Sequence, residues 1–493
     1  MSRFNLHIEN SFCRLSGNIP AKINEALTQA LTYRNDIDAE KAQLFGKLKY
    51  FRRMNNKKKY NDVLFLIKKL EASEWVCWFK DGTFPTGHKN IVIDILDALK
   101  ANYKIVDERK KPNPYLKLTW MNTPFDPRYY QKEVIDLCLN AGRGVVESAV
   151  GTGKSLMMTY IIKELAVTTL IVVPSRGLLE QMSRDLKTWF GEDKVQTVDS
   201  ALIRKGIPLK DIRVITIQSM AALQKSGDLQ MLVSDIDAAF FDEFHHAGSA
   251  SYTNLLPEID HIYYRYGFTG TFLRNDSKIL DLWGFLSNKL YSYPAFQAIQ
   301  EGYLTPLKVI THEMAGKKGG RGKGSSYQKE YDANYCGNPE ILQEVLDICT
   351  EYPNEQILIL VNKKDKAGKI FHEYLTLAGV NNSYISGDDT KEVITDTITA
   401  FNKKDINVLI GSSVIGEGID VRSTDHLVLC QGGKSEISIV QATGRGVRLY
   451  EGKKIACVHD FKFTNTKFME KHYEQRLNIL MRNFEPVFEG GGV

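Results

Sequence analysis

Apolar and polar positions alternate in short runs over the first hundred residues of this chain. FNLHI and FCRLSG read as half-buried strands, and a helix follows Pro20 over AKINEALTQALTYR. WVCWFK and TF read as a hairpin turning at Asp81-Gly82, and NIVIDILDALKANY has the spacing of an amphipathic helix. The pattern predicts a small α+β module ending at KKPNP, residues 110–114, where two prolines disfavour helix and charge keeps the segment solvated.

From about residue 115 the texture changes. VVESAV, LIVVP, VITI and AAFFDE are nearly continuous apolar runs separated by helical stretches. After residue 300 the rhythm repeats in QILILV, NSYIS, NVLIG, HLVLC and KIACVHD. Strands that do not alternate and are joined by helices belong to parallel sheets covered on both faces. The expected fold is α/β: two parallel-sheet lobes with a cleft between them, preceded by a small α+β N-terminal domain. The boundaries are expected at residues 1–111, 112–300 and 301–493, the last segment carrying a C-terminal helical tail.

Composition narrows the class. At 493 residues and 43% hydrophobic, with 23 Phe, 23 Tyr and 5 Trp, the chain is neither a small disulfide scaffold nor wholly disordered. Its seven cysteines are scattered and never in C-x-x-C spacing, which fits reduced thiols rather than a zinc site. No apolar run approaches the ~20 residues of a membrane span, and MSRFNLHIEN lacks a signal pattern. The expectation is a soluble protein without a membrane partner, acting as a monomer in the cytoplasm.

Charge is concentrated at one end. The net charge is +5, but residues 1–111 hold 21 Lys+Arg against 13 Asp+Glu, a balance of +8, leaving −3 for the rest. Residues 47–69 carry nine basic side chains and one acid, Asp62, interleaved with Tyr50, Phe51 and Tyr60. Such a stretch suits phosphate neutralisation and base stacking, although an ordinary solvated helix or hairpin can look the same. GKKGGRGKGSS at 316–326 reads as a second basic, flexible loop.

The strongest chemical signal is AVGTGKS, residues 149–155, between a strand and a helix. Gly151 and Gly153 let backbone amides turn toward phosphate oxygens, Lys154 reaches the outer phosphates, and the Ser155 hydroxyl suits Mg²⁺. Ser148 stands where the full pattern has its first glycine. Phe241-Asp242-Glu243-Phe244-His245 then supplies the expected acidic pair, with Asp242 for the Mg²⁺ shell and Glu243 to orient or deprotonate water.

Together, AVGTGKS, VPSRGLLEQ, TIQS, DEFH, GFTGT, LILVNK, GSSVIGEGID and QATGRGVR follow the order and spacing of superfamily 2 helicase motifs across residues 115–460. The resemblance implies two RecA-like lobes with ATP and Mg²⁺ between them and nucleic acid across both. Carried over residue by residue, it places ATP at Arg128, Gln131, Ala149, Gly151, Thr152, Gly153, Lys154, Ser155 and Asp420, with Gln131 reading adenine. Arg445 and Arg448 resemble the guanidinium pair that meets the γ-phosphate, and Gln441 the link to His245. Thr269, Thr271 and Glu417 resemble coupling residues, while Pro174, Ser175, Arg176, Gln218, Ser219, Asn362, Lys363 and Ser412 resemble contacts to the strand's phosphates.

DEFH, Gln131 and EGID bring the chain nearer the DNA translocases than the DEAD-box RNA unwinders, and AFQAIQEGYLTPLKV resembles their inter-lobe connector. The overall layout is similar to phage UvsW-type helicases, which remodel branched DNA. The implied activity is ATP-dependent unwinding or branch migration of branched or single-stranded DNA in replication, recombination or repair. An RNA helicase, an ATP-gated clamp without turnover and a restriction-enzyme motor remain alternatives.

Overall fold

The computed structural model describes residues 4–244, 255, 257–270, 279–319, 326–336, 338–362, 364–411, 421 and 423–489. The apolar runs become strands buried along their whole length, as in Arg143–Ser148, Thr169–Val173, Ile212–Thr216, Ala238–Phe241 and Tyr264–Thr269. With Lys289–Tyr293 and Val195–Val198 they form a seven-stranded sheet in which every neighbouring pair is parallel. The second lobe repeats the design, with the order Asn382–Ile385, Val408–Gly411, Ile357–Val361, His426–Cys430, Ala456–Thr464, Leu307–Ala315, Val487–Glu489, again parallel throughout. Parallel neighbours require crossovers, and their helices bury apolar clusters on both faces of each sheet. One cluster joins the lobes, packing Tyr130, Ala149, Tyr293 and Ala295 of the first against Leu358, Leu429 and Val440 of the second.

The N-terminal unit is α+β, and here long-range pairing overrides the local pattern at three places. Its four-stranded sheet runs Thr83–Pro85, Phe12–Ser16, Phe4–Ile8, Tyr103–Asp107. The helix expected over 21–34 stops at Ala30, because Thr32–Arg34 pairs with Trp75–Cys77 as a separate ribbon. Consequently the expected 75–84 hairpin is reduced to one Lys80–Thr83 bridge, and Thr83–Pro85 instead joins Phe12–Arg14. The helix expected over 90–103 spans Lys89–Ala98; Lys100, at φ 51°, reverses the chain, and Tyr103–Asp107 becomes a strand parallel to Phe4–Ile8.

From the ribbon two helices project, Asp38–Arg53 and Lys57–Ala72, packed on each other through Leu44, Val63 and Ile67. Asn56 caps the second by accepting the Lys59 amide at 3.1 Å. The nine basic residues of 47–69 therefore lie on this helical hairpin. The unit is fastened to the first lobe by buried polar bonds. Asp281, 5% exposed, accepts the Tyr33 hydroxyl at 2.6 Å and the Trp78 indole N–H at 2.8 Å. Arg265, fully buried, donates to the Ser11 hydroxyl at 2.8 Å, and the Ser11 amide donates to Asp260 at 2.9 Å.

Candidate active site at the lobe interface

The buried strand Arg143–Ser148 ends in the glycine loop, and the helix Lys154–Leu165 starts directly after it. Gly151 and Gly153 have φ of 89° and 87°, which only glycine adopts without strain. The serine at the first glycine position has a local role. Ser148 Oγ lies 2.6 Å from Thr152 Oγ1, which donates to the Ala149 carbonyl at 2.6 Å, so two hydroxyls hold the loop in shape. The Gln131 amide N–H donates to the Thr152 carbonyl at 2.8 Å, while its carbonyl accepts the Arg128 amide at 2.8 Å. In this state Gln131 braces the loop against the helix Tyr129–Ala141. Beside it, the Arg128 guanidinium lies 4.5 Å over the Tyr303 ring, and Tyr130 stacks on Tyr293 at 4.1 Å.

The acidic pair ends the adjacent strand Ala238–Phe241. Glu243 has φ 45°, an uncommon conformation for a non-glycine residue. It accepts the Gly270 amide at 3.3 Å and lies 3.5 Å from the Lys154 ammonium, which also donates to the Ser148 carbonyl at 3.3 Å. Asp242 is 7% exposed, and its Oδ1 has no hydrogen-bond partner among the described residues. Burial first, and then the neighbouring Glu243 charge, raise the Asp242 pKa well above the carboxylate range, against the pull of Lys154. A buried carboxylate oxygen left over in this way fits a hard, oxygen-seeking divalent cation such as Mg²⁺. Asp242 and the Ser155 hydroxyl are the groups that would hold it.

The second lobe closes directly over this loop. A side chain at Gly444, in the helix Glu436–Gly446, would place its Cβ 2.7 Å from Val150 Cβ. A Cβ at Gly151 would meet Leu304 at 3.1 Å and Arg448 Cγ at 3.2 Å. Arg448 thus lies against the phosphate loop, while Arg445 is buried in the same helix and Gln441 half-buried. Within the second lobe Thr305 ties down the end of this helix: its amide donates to the Val447 carbonyl at 2.8 Å and its hydroxyl to that of Arg448 at 3.2 Å. Between the lobes a small cavity is lined by Ser148, Val150 and Gly270 on one side and Val440, Gly444 and Asn483 on the other.

The residues expected on the nucleic-acid path follow carboxyl ends of strands, where ligands of open α/β sheets bind. Ser175 caps the helix Arg176–Phe190, and the Gln218 amide donates to the Pro174 carbonyl at 3.0 Å, joining two of the motifs. Ser219 donates its amide to Thr216 Oγ1 at 3.2 Å. Arg176, Gln218 and Asn362 are exposed, and the Asn362 amide donates to the Tyr331 hydroxyl at 3.1 Å. Thr269 is wholly buried at the end of its strand. His245, Thr271, Lys363, Ser412, Glu417 and Asp420 lie outside the described residues. Sequence reasoning did not single out Val150, Gly270 or Gly444; the glycine spacing in ATGRG was the available signal for the last.

Residues 124–274 match the family described as type III restriction enzyme, res subunit, and residues 337–450 match the helicase conserved C-terminal domain. The chain belongs to the superfamily 2 helicases. Within that superfamily it is 23% identical over 385 residues to the ATP-dependent DNA helicase uvsW of Enterobacteria phage T4, covering 73% of this chain and 74% of the relative. It is 25% identical over 362 residues to IRC3 of Saccharomyces cerevisiae, whose name describes an ATP-dependent helicase; the match covers 68% of this chain and 51% of the relative, so the chain spans about half that protein's length. Among solved structures, a fragment described as the HsdR subunit of a type I restriction enzyme from Vibrio vulnificus YJ016 shares the fold, with a TM-score of 0.53 and 16% identity over 85% of this chain and 76% of that one. Dbp5 of S. cerevisiae does so with a TM-score of 0.52 and 17% identity over 74% and 90%. These are RecA-like helicase lobes. Among the described residues no helix is long and apolar enough to cross a membrane.

Proposed function

We propose that the chain is an ATP-dependent DNA helicase or translocase that unwinds or branch-migrates forked and Holliday-junction DNA. The observation that carries the motor reading is the seam at the phosphate loop. There Val150 and Gly151 of the phosphate loop lie against Gly444 and Arg448 of the second lobe, and Lys154, at the end of that loop, pairs with Glu243. ATP enters as substrate, with its phosphates on the loop amides and Lys154. Ser155 and Asp242 would hold Mg²⁺, which would supply charge neutralisation of the phosphates. Glu243 orients the attacking water and takes its proton, and Arg445 and Arg448 stabilise the transferring charge once the lobes meet. Asp420 contacts the nucleotide, while His245, Gln441, Thr269, Thr271 and Glu417 transmit lobe closure to the strand. Alternating closure and release then moves Arg176, Gln218, Ser219, Asn362, Lys363 and Ser412 along one strand's phosphates.

The DNA reading is supported by the name of the phage T4 relative and by the basic helical hairpin, which projects from a ribbon bonded to Asp281 of the first lobe. Bound there, a second arm of a junction is held while the motor pulls the first. The test measures ATPase stimulation and unwinding on single strands, forks, four-way junctions and matched RNA. The expected result is stimulation by DNA over RNA and preferential unwinding of branched substrates. Replacing Arg52, Arg53, Lys57, Lys58 and Lys59 by Ala is expected to weaken fork and junction unwinding more than single-strand ATPase. Equal stimulation by RNA and DNA would favour an RNA helicase, and binding without turnover a clamp.

A further inference from the structure

At the root of the helical hairpin lies a cavity of about 420 Å³ that the motor does not use. It opens where the Trp75–Cys77 ribbon meets the edge strand Thr83–Pro85, and its walls include Phe12, Trp75, Val76, Trp78, Lys80 and Phe84. Its size falls within the ~300–1,000 Å³ of small-ligand pockets. Trp75 is 64% exposed, a large aromatic surface turned to solvent at the mouth of an aromatic-lined cavity. Trp78, another wall residue, is held by its indole N–H, which is bonded to Asp281 of the first lobe.

Charge at this site favours an anion. Two acids at the root are paired, Glu71 with Lys41 and Glu74 with Arg34, each at 2.8 Å. Residues 38–72 hold ten Lys+Arg against four Asp+Glu, a balance of +6, and Lys80 is exposed at the cavity itself. An apolar aromatic slot bordered by a surplus of positive charge matches a nucleobase carried on a phosphate backbone.

We propose that this cavity takes one unstacked base of the strand the motor does not grip, stacked on Trp75 with Trp78 behind it, its flanking phosphates near Lys80 and the hairpin. The site rests on the DNA-motor reading and gives it a defined place to hold the displaced strand, fixed to the first lobe through Asp281. Each base–aromatic stack contributes a factor of roughly 5–100 in affinity.

The experiment titrates the full chain with a forked duplex whose two single-stranded arms are oligo(dT) and with the same fork carrying abasic arms of equal length, following fluorescence anisotropy for the wild type, Trp75→Ala and Trp75→Phe. The expected result is a 5- to 100-fold loss for Trp75→Ala on the oligo(dT) fork, no change on the abasic fork, an unchanged salt slope, and recovery by Trp75→Phe. Equal losses on both forks would overturn the proposal in favour of a merely structural or electrostatic role. Unchanged affinity for both would overturn it too, leaving the cavity to an apolar protein segment while the motor reading stands. Failure of the wild type to bind either fork or hydrolyse ATP with DNA would instead overturn the motor reading beneath it.

Discussion

Gly444→Ala perturbs the seam by a single methyl group. In the closed lobes that carbon would lie 2.7 Å from Val150 Cβ, whereas nonbonded carbons prefer about 3.5–4.0 Å. The Val150 Cγ atoms, at 3.2 and 3.3 Å, crowd the same place. Relief requires the lobes to part by about 1 Å, and misplacement on that scale can cost on the order of 10²-fold in rate. The second lobe itself gains, since alanine is better than glycine in a helix by about 0.5–1 kcal/mol. The expected signature is a DNA-stimulated kcat lowered about 100-fold with thermal stability unchanged or slightly raised. Adding Val150→Gly, which removes the clashing Cβ, restores part of the rate, and Val150→Ala, which keeps it, does not. A Gly444→Ala protein with wild-type kcat at saturating ATP and DNA would refute the claim that this contact sets closure.

Three further outcomes are expected. Asp281→Ala leaves the Tyr33 hydroxyl and Trp78 N–H without their acceptor; at about 1.5–3 kcal/mol per charged hydrogen bond it costs roughly 3–6 kcal/mol, with Asp281→Asn costing less. Chemical denaturation and proteolytic release of the N-terminal unit measure it, and an unchanged midpoint would count against the docking role. His88 is fully buried, with no hydrogen-bond partner for either ring nitrogen among the described residues, and burial lowers its pKa to about 4. The neutral ring is the one the fold accepts, so this contribution is complete above the unfolded value of about 6.5 and is lost as pH falls toward 4, by roughly 3 kcal/mol at most. His88→Leu is expected to flatten that part of the stability profile; an identical profile in both proteins would contradict it. Asp242→Asn removes a buried charge, so the ligand-free protein is expected to melt at the same or higher temperature while the Mg²⁺-ATP-induced rise in Tm disappears. Mg²⁺-dependent turnover retained by this variant would exclude Asp242 as a metal ligand.

Local pattern was enough for the two lobes. Continuous β-branched and aliphatic runs such as LIVV and LILV admit little but a strand buried on both faces, and AVGTGKS fixes a strand, loop and helix by its glycines alone. Where a segment's partner lies far along the chain, pattern failed. Thr32–Arg34 continues a helical rhythm, and only pairing with Trp75–Cys77, over forty residues away, makes it a strand. Strand pairing depends on which segments meet, and neither hydrophobic spacing nor turn residues encode that at such a distance. The chemistry divides in the same way. Lys154, Asp242 and Glu243 stand out in the sequence as candidates because phosphate and metal demand particular groups at a particular spacing, and the fold brings Lys154 and Glu243 together. That Gly444 must lack a side chain, that Ser148 ties down the loop in place of a glycine, and that Asp281 anchors the basic unit are decided by the tertiary structure, since each depends on what the fold places opposite.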